Sequence, residues 1–186
     1  MLDELDLKIM GELHKDGRIS ITELADRVGA SRPTVTKRFN RLLEDKSAII
    51  QSGLDPKAFG FKIACFGLEV KNEGTRIELE KMLESCPRVL NVFRTPEKAN
   101  LHIGVWGEED QTINSTVESF RDFPEVDVIY VHYLGTPIYG GMAINIPPVT
   151  SEEPPCGKDC SGCHRYQKNW CCGCPQSNYY RNPILG

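Results

Sequence analysis

The 186-residue chain has room for one full domain and smaller companions, and 40% hydrophobic with 26% charged residues describes a globular protein. No apolar run approaches the ~20 residues of a membrane span. The acidic, amphipathic start is unlike a signal peptide, so a cytoplasmic protein with no membrane partner is expected. A net charge of −4 is not that of a nucleic-acid binder taken whole, but the charge is uneven. Residues 1–61 hold ten basic and ten acidic side chains, residues 62–141 eight and thirteen, and residues 156–186 four and one.

A first helix is predicted over Asp3 to His14, capped by Asp3, with Leu5, Ile9 and Leu13 on one face. Ser20-Ile21-Thr22-Glu23 has the form of a capping box, and Ile21, Leu24, Ala25 and Val28 follow at helical spacing until Gly29-Ala30 breaks the pattern. Ser31 caps a third helix with Pro33 in its first turn, where no amide hydrogen is needed. Val35, Phe39, Leu42 and Leu43 form its apolar stripe. At about 100° per residue, Thr34, Lys37, Asn40 and Arg41 stand opposite, with Arg32 and Arg38 at the edges. From Ser31 to Leu43 there are four basic residues and no acid. Charge alone would describe a helical hairpin with a solvated face. Two short helices, a tight turn and a cationic second helix are also what a helix-turn-helix needs to enter the major groove.

The run from Leu2 to Met10 resembles the opening helix of the Lrp/AsnC (feast/famine) transcriptional regulators. Lys15 to Ser20, Glu23-Leu24-Ala25, Ser31 to Val35, Arg41 to Glu44, Ile49-Ile50 and Leu54 to Gly60 continue the match in register. The resemblance implies a winged helix-turn-helix over residues 1–60 and a sequence-specific transcriptional regulator with double-stranded DNA as partner. Its DNA-binding residues would be Arg32, Thr34, Lys37, Arg38, Asn40 and Arg41. Asp45-Lys46-Ser47 stands where the family usually has Glu-Asp-Gly, so a different helix end is expected there. Ala48 to Leu54 reads as a short strand.

From Phe61 the period changes. Lys62 to Val70 is strand-like. Thr75 to Glu78 reads as a capping box before Leu79, Met82 and Leu83, with Pro87 stopping that helix. Strands follow at Val89 to Phe93 and Leu101 to Trp106. A helix marked by Ile113, Val117 and Phe120 ends at Pro124, and a last strand runs from Val126 to Leu134. This order is the ferredoxin-like βαββαβ arrangement, assigned to residues 61–146. It matches the family's effector domain, where sheets of two subunits pair and small ligands, often amino acids, bind between dimers. The resemblance therefore implies a homodimer or higher homo-oligomer and a small-molecule effector. Thr95 to Asn100 departs from the family's usual turn, which weakens the amino-acid reading. Cys65 and Cys86, in apolar settings, read as core residues, and His102 and His132 as structural histidines.

Ala143 to Ile146 could add a short strand, and the proline-rich residues 147–155 read as an extended linker. Six of the eight cysteines then crowd between residues 156 and 174. A 31-residue tail (156–186) is too short for a core of its own and needs a staple. In a reducing cytosol that favours metal over disulfides. Cys160 and Cys163 with Cys171 and Cys174 would give zinc its four thiolates. The triplet Cys156, Cys160, Cys163 with Cys174-Pro175 suits an iron–sulfur cluster, the favoured reading. The tail is similar to cysteine-rich extensions found on some archaeal proteins.

The sequence thus predicts an α+β chain: a winged helix-turn-helix, a ferredoxin-like domain and a small metal module on Cys156, Cys160, Cys163, Cys171 and Cys174. The function it points to is transcriptional regulation, with the cysteine cluster sensing redox state or metal. The alternatives are a redox or electron-transfer protein, or a regulator with a purely structural zinc tail. No nucleophile–base pair, phosphate loop or catalytic carboxylate pair is visible, so no enzyme is expected.

Overall fold

Three local stop and start signals build the N-terminal helices in the computed structural model, which describes residues 2–135, 137–138, 140–149 and 152–184. Asp3 opens α1 (Glu4–Lys15) with a reciprocal capping box, its carboxylate taking the Asp6 amide at 3.1 Å and Asp6 taking the Asp3 amide at 3.0 Å. Ser20 caps α2 (Ile21–Val28) through the Glu23 amide. Glu23 does not reach back; it pairs with Arg27 at 2.6 Å. Gly29, at φ 68°, makes the left-handed turn that lets the Ala30 amide reach the Ala25 carbonyl at 3.0 Å. Ser31 then caps α3 (Arg32–Glu44). Ile9, Ile19, Leu24, Ala25, Val35 and Leu42 close the core of this body, with Ala48 at its edge. Each large aliphatic among them is worth about 1.5–3 kcal/mol of burial.

The end of α3 keeps a left-handed turn without a glycine. Lys46 adopts φ 53°, and the Ser47 and Ala48 amides both reach the Leu42 carbonyl. The expected strand from Ala48 to Leu54 is absent. Ile49 and Ile50 are exposed and unpaired in any ladder, and only Leu54 forms a bridge, to Ile144. The helix-turn-helix therefore has no strand wing among the described residues.

Residues up to Gln51 form one compact body and those from Ser52 onward a second. In the second, β1 (Lys62–Val70), α4 (Glu73–Ser85), β2 (Val89–Arg94), β3 (Leu101–Gly107), α5 (Asp110–Arg121) and β4 (Val126–Leu134) follow in order. The sheet is antiparallel, ordered β2-β3-β1-β4, as a ferredoxin-like chain requires. Helix α4 starts earlier than the Thr75 box, because the Asn72 side chain captures the Gly74 and Thr75 amides. Ala64, Phe66, Leu68, Leu101, Ile103 and Val105 face Leu79 and Leu83 of α4 and Ile113, Val117 and Phe120 of α5. On the opposite face Gly67 leaves room for Tyr130. A Cβ there would lie 2.4 Å from the ring, which stacks on His132 and meets His102 Nδ1 at 2.5 Å.

The tail belongs to the same compact body as the sheet and packs on it. Pro154 is buried, its carbonyl accepting the Gly157 amide at 2.9 Å, and Ile184 packs on a second apolar cluster of Phe61, Trp106 and Ile144. Short helix α6 (His164–Gln167) is its one regular element among the described residues. Thirty-one residues that cannot bury a core alone bury one against the sheet domain.

Candidate functional site

Two sites emerge, one in each body. On α3, Arg32, Pro33, Thr34, Thr36, Lys37 and Asn40 are exposed, while Val35 and Leu42 are buried. No acid interrupts the exposed face before Glu44. Thr36, which the periodicity reading passed over, belongs to it; its hydroxyl donates to the Arg32 carbonyl at 3.0 Å. The helix start is tied down by the Ser31 and Thr34 hydroxyls, 2.8 Å apart.

Arg38 and Arg41 are placed differently. Arg38 meets Asp3 at 2.5 Å and Asp6 at 3.3 Å, and Arg41 meets Asp6 at 2.5 Å. Asp6 has no solvent exposure. The Asp3 amide and then the Arg41 guanidinium hold its carboxyl below the ordinary 3.8, against the opposing effect of burial. These two arginines pin α3 to α1, and their guanidinium groups are directed to carboxylates of the same body. On the outward face Arg32, Lys37 and Asn40 have no side-chain hydrogen bond or ion pair among the described residues, while the Thr34 hydroxyl is engaged with Ser31.

In the second body, Cys156, Cys160, Cys163, Cys171 and Cys174 line one cavity of about 90 Å³. Cys86, at the end of α4, lines it too, although its sequence setting had suggested plain core. No spacing rule could have found it, since it lies 70 residues before the first tail cysteine. Cys172 is not in the lining; its sulfur takes the Thr112 hydroxyl at 3.7 Å. Burial pushes the Cys160 thiol up to about 11 and Cys174 up to about 12.

The cavity wall is anchored by a buried clasp. Arg88 pairs with Glu108 at 2.9 and 3.2 Å, donates to the Gly173 carbonyl at 2.6 Å, and lies against the rings of Trp106 and Tyr180. Ser115 of α5 donates to the Trp170 carbonyl at 2.7 Å, and Lys158 meets Asp122 at 2.5 Å.

Among the described residues no group of three or more His, Cys, Asp or Glu side chains is arranged to hold a metal ion. The lining offers thiols and no carboxylate or imidazole, a donor set suited to a thiolate-bound metal group.

A capped helix, a glycine turn and an acid-free exposed second helix define a helix-turn-helix DNA-binding protein. A family model for the AsnC-type helix-turn-helix domain matches residues 2–43. The Leucine-responsive regulatory protein of Rhizobium meliloti is 32% identical over 130 residues, covering 66% of this chain and 76% of that one. The HTH-type transcriptional regulator FL11 of Pyrococcus horikoshii is 25% identical, covering 68% and 84%. The chain belongs to the Lrp/AsnC family of transcriptional regulators, which are not enzymes. Among solved structures, Bacillus subtilis LrpC aligns with a TM-score of 0.64 at 22% identity, covering 75% of this chain and 98% of that one. A transcriptional regulator from Neisseria meningitidis in complex with L-Met aligns with a TM-score of 0.67 at 19% identity, covering 78% and 97%. At those identities the likeness establishes the fold, and about a quarter of this chain lies outside it. No helix among the described residues is long and apolar enough to cross a membrane.

Proposed function

We propose that this protein is a cytoplasmic, sequence-specific DNA-binding regulator that acts as a homodimer or higher oligomer and carries an iron–sulfur cluster in its thiol cavity. The exposed, acid-free face of α3 carries the DNA reading. Lys37 and Asn40 at its centre, with Arg32 and Thr34 in the leading turn, would contact base edges and phosphates, while Arg38 and Arg41 set the helix on its support. With only a local cationic stripe per chain, two copies are needed to gather enough phosphate contacts. The sheet face bearing His102, Tyr130 and His132 is the surface on which two chains would pair.

The six cysteines that share one cavity wall support the cluster reading, since iron–sulfur clusters are held by cysteine thiolates. Cys156, Cys160, Cys163, Cys171 and Cys174 would hold it, and when bound it supplies a one-electron, oxygen-sensitive redox couple. The regulatory signal would then be redox state rather than an amino acid. Residues of the cavity wall belong to α4, α5 and the tail together, so what the thiols hold bears on the packing of both helices.

The test is selection of duplexes from a randomised pool by the full-length protein. Recovered sequences should share two related half-sites about one helical turn apart, or a multiple of it. Recovery without any shared sequence would contradict specific recognition.

A further inference from the structure

Resting on the cluster reading above, we propose that Cys86 is a ligand of that site, so that the cluster is bound jointly by the tail and by the sheet domain. The shared cavity wall supports this. Cys86 lines the same cavity as the five tail cysteines, facing them from the end of α4. The Val89 amide bonds the Cys86 carbonyl at 3.0 Å, closing the turn that follows α4.

The backbone explains why this cysteine turns inward. Cys86 ends α4 in an extended conformation (φ −79°, ψ 116°), Pro87 forbids the helix to continue, and Arg88 is fixed by the Glu108 clasp two residues on. The cysteine is thus held at the cavity by the same chain turn that holds the tail. A cluster bound there would tie 156–174 to the junction of α4 and β2, instead of folding an independent appendage.

The experiment measures iron, acid-labile sulfide and the electron paramagnetic resonance signal of reduced full-length protein, purified without oxygen. Wild type is compared with Cys86→Ser, Cys86→Ala and Cys65→Ser, the last a thiol outside the cavity. Both Cys86 variants should lose more than half the iron and change the signal of the rest, while Cys65→Ser keeps both. Full iron and an unchanged signal in either Cys86 variant would overturn the assignment. Wild type free of iron and sulfide would instead overturn the cluster reading itself, and the two failures are read from different samples.

Discussion

Replacing Arg88 with methionine is expected to cost the C-terminal body about 3–5 kcal/mol, the cost of leaving one member of a buried ion pair alone. Glu108 would keep its carboxylate in a site where only 4% of the side chain is exposed, and the Gly173 carbonyl would lose its donor. The tail should loosen with it, because Gly173 lies in the cavity wall. Arg88→Met/Glu108→Leu should recover most of the loss, since no buried charge then remains. Urea unfolding followed by tryptophan fluorescence reads this body alone, both tryptophans, Trp106 and Trp170, lying beyond Ser52. A cost below about 1 kcal/mol, the range of exposed ion pairs, would show that the clasp holds nothing.

Removing Lys37 or Asn40 by alanine should weaken operator binding by about 1–3 kcal/mol each, roughly 5–150-fold. The two substitutions differ in kind. Asn40→Ala should relax sequence preference if its amide reads a base, as asparagine does with adenine. If Lys37 contacts phosphate, Lys37→Ala lowers affinity on every duplex and flattens the salt dependence by about one unit of slope. Both residues are exposed, so the helices should unfold as before. Arg41→Ala should behave otherwise, since it strips the buried Asp6 of its 2.5 Å partner and so destabilises the N-terminal body. Unchanged binding in Lys37→Ala/Asn40→Ala would remove α3 as the reading element.

What could be read beforehand was local. Caps at Asp3, Ser20 and Ser31 act within three residues, so the helix starts were legible, as was the stripe of Val35 and Leu42. What needed tertiary structure was missed. The partners of Arg38 and Arg41 lie up to 35 residues away, and a basic residue on a helix looks free until its carboxylate is found. Ile49 and Ile50 have strand-forming side chains, but no strand lies beside them to pair with. Asn72 outcompeted Thr75 because it reaches two amides one turn earlier. Cys86 entered the thiol cavity only because the sheet brings the end of α4 against the tail.

The most direct measurement is operator affinity of one full-length preparation, loaded and then stripped of iron by chelation without oxygen, at fixed salt. Coupling between cavity and DNA predicts affinities differing by roughly 5–150-fold, the usual span of an allosteric coupling energy. Equal affinities for the two forms would contradict the sensing role and leave the thiol cavity a structural device.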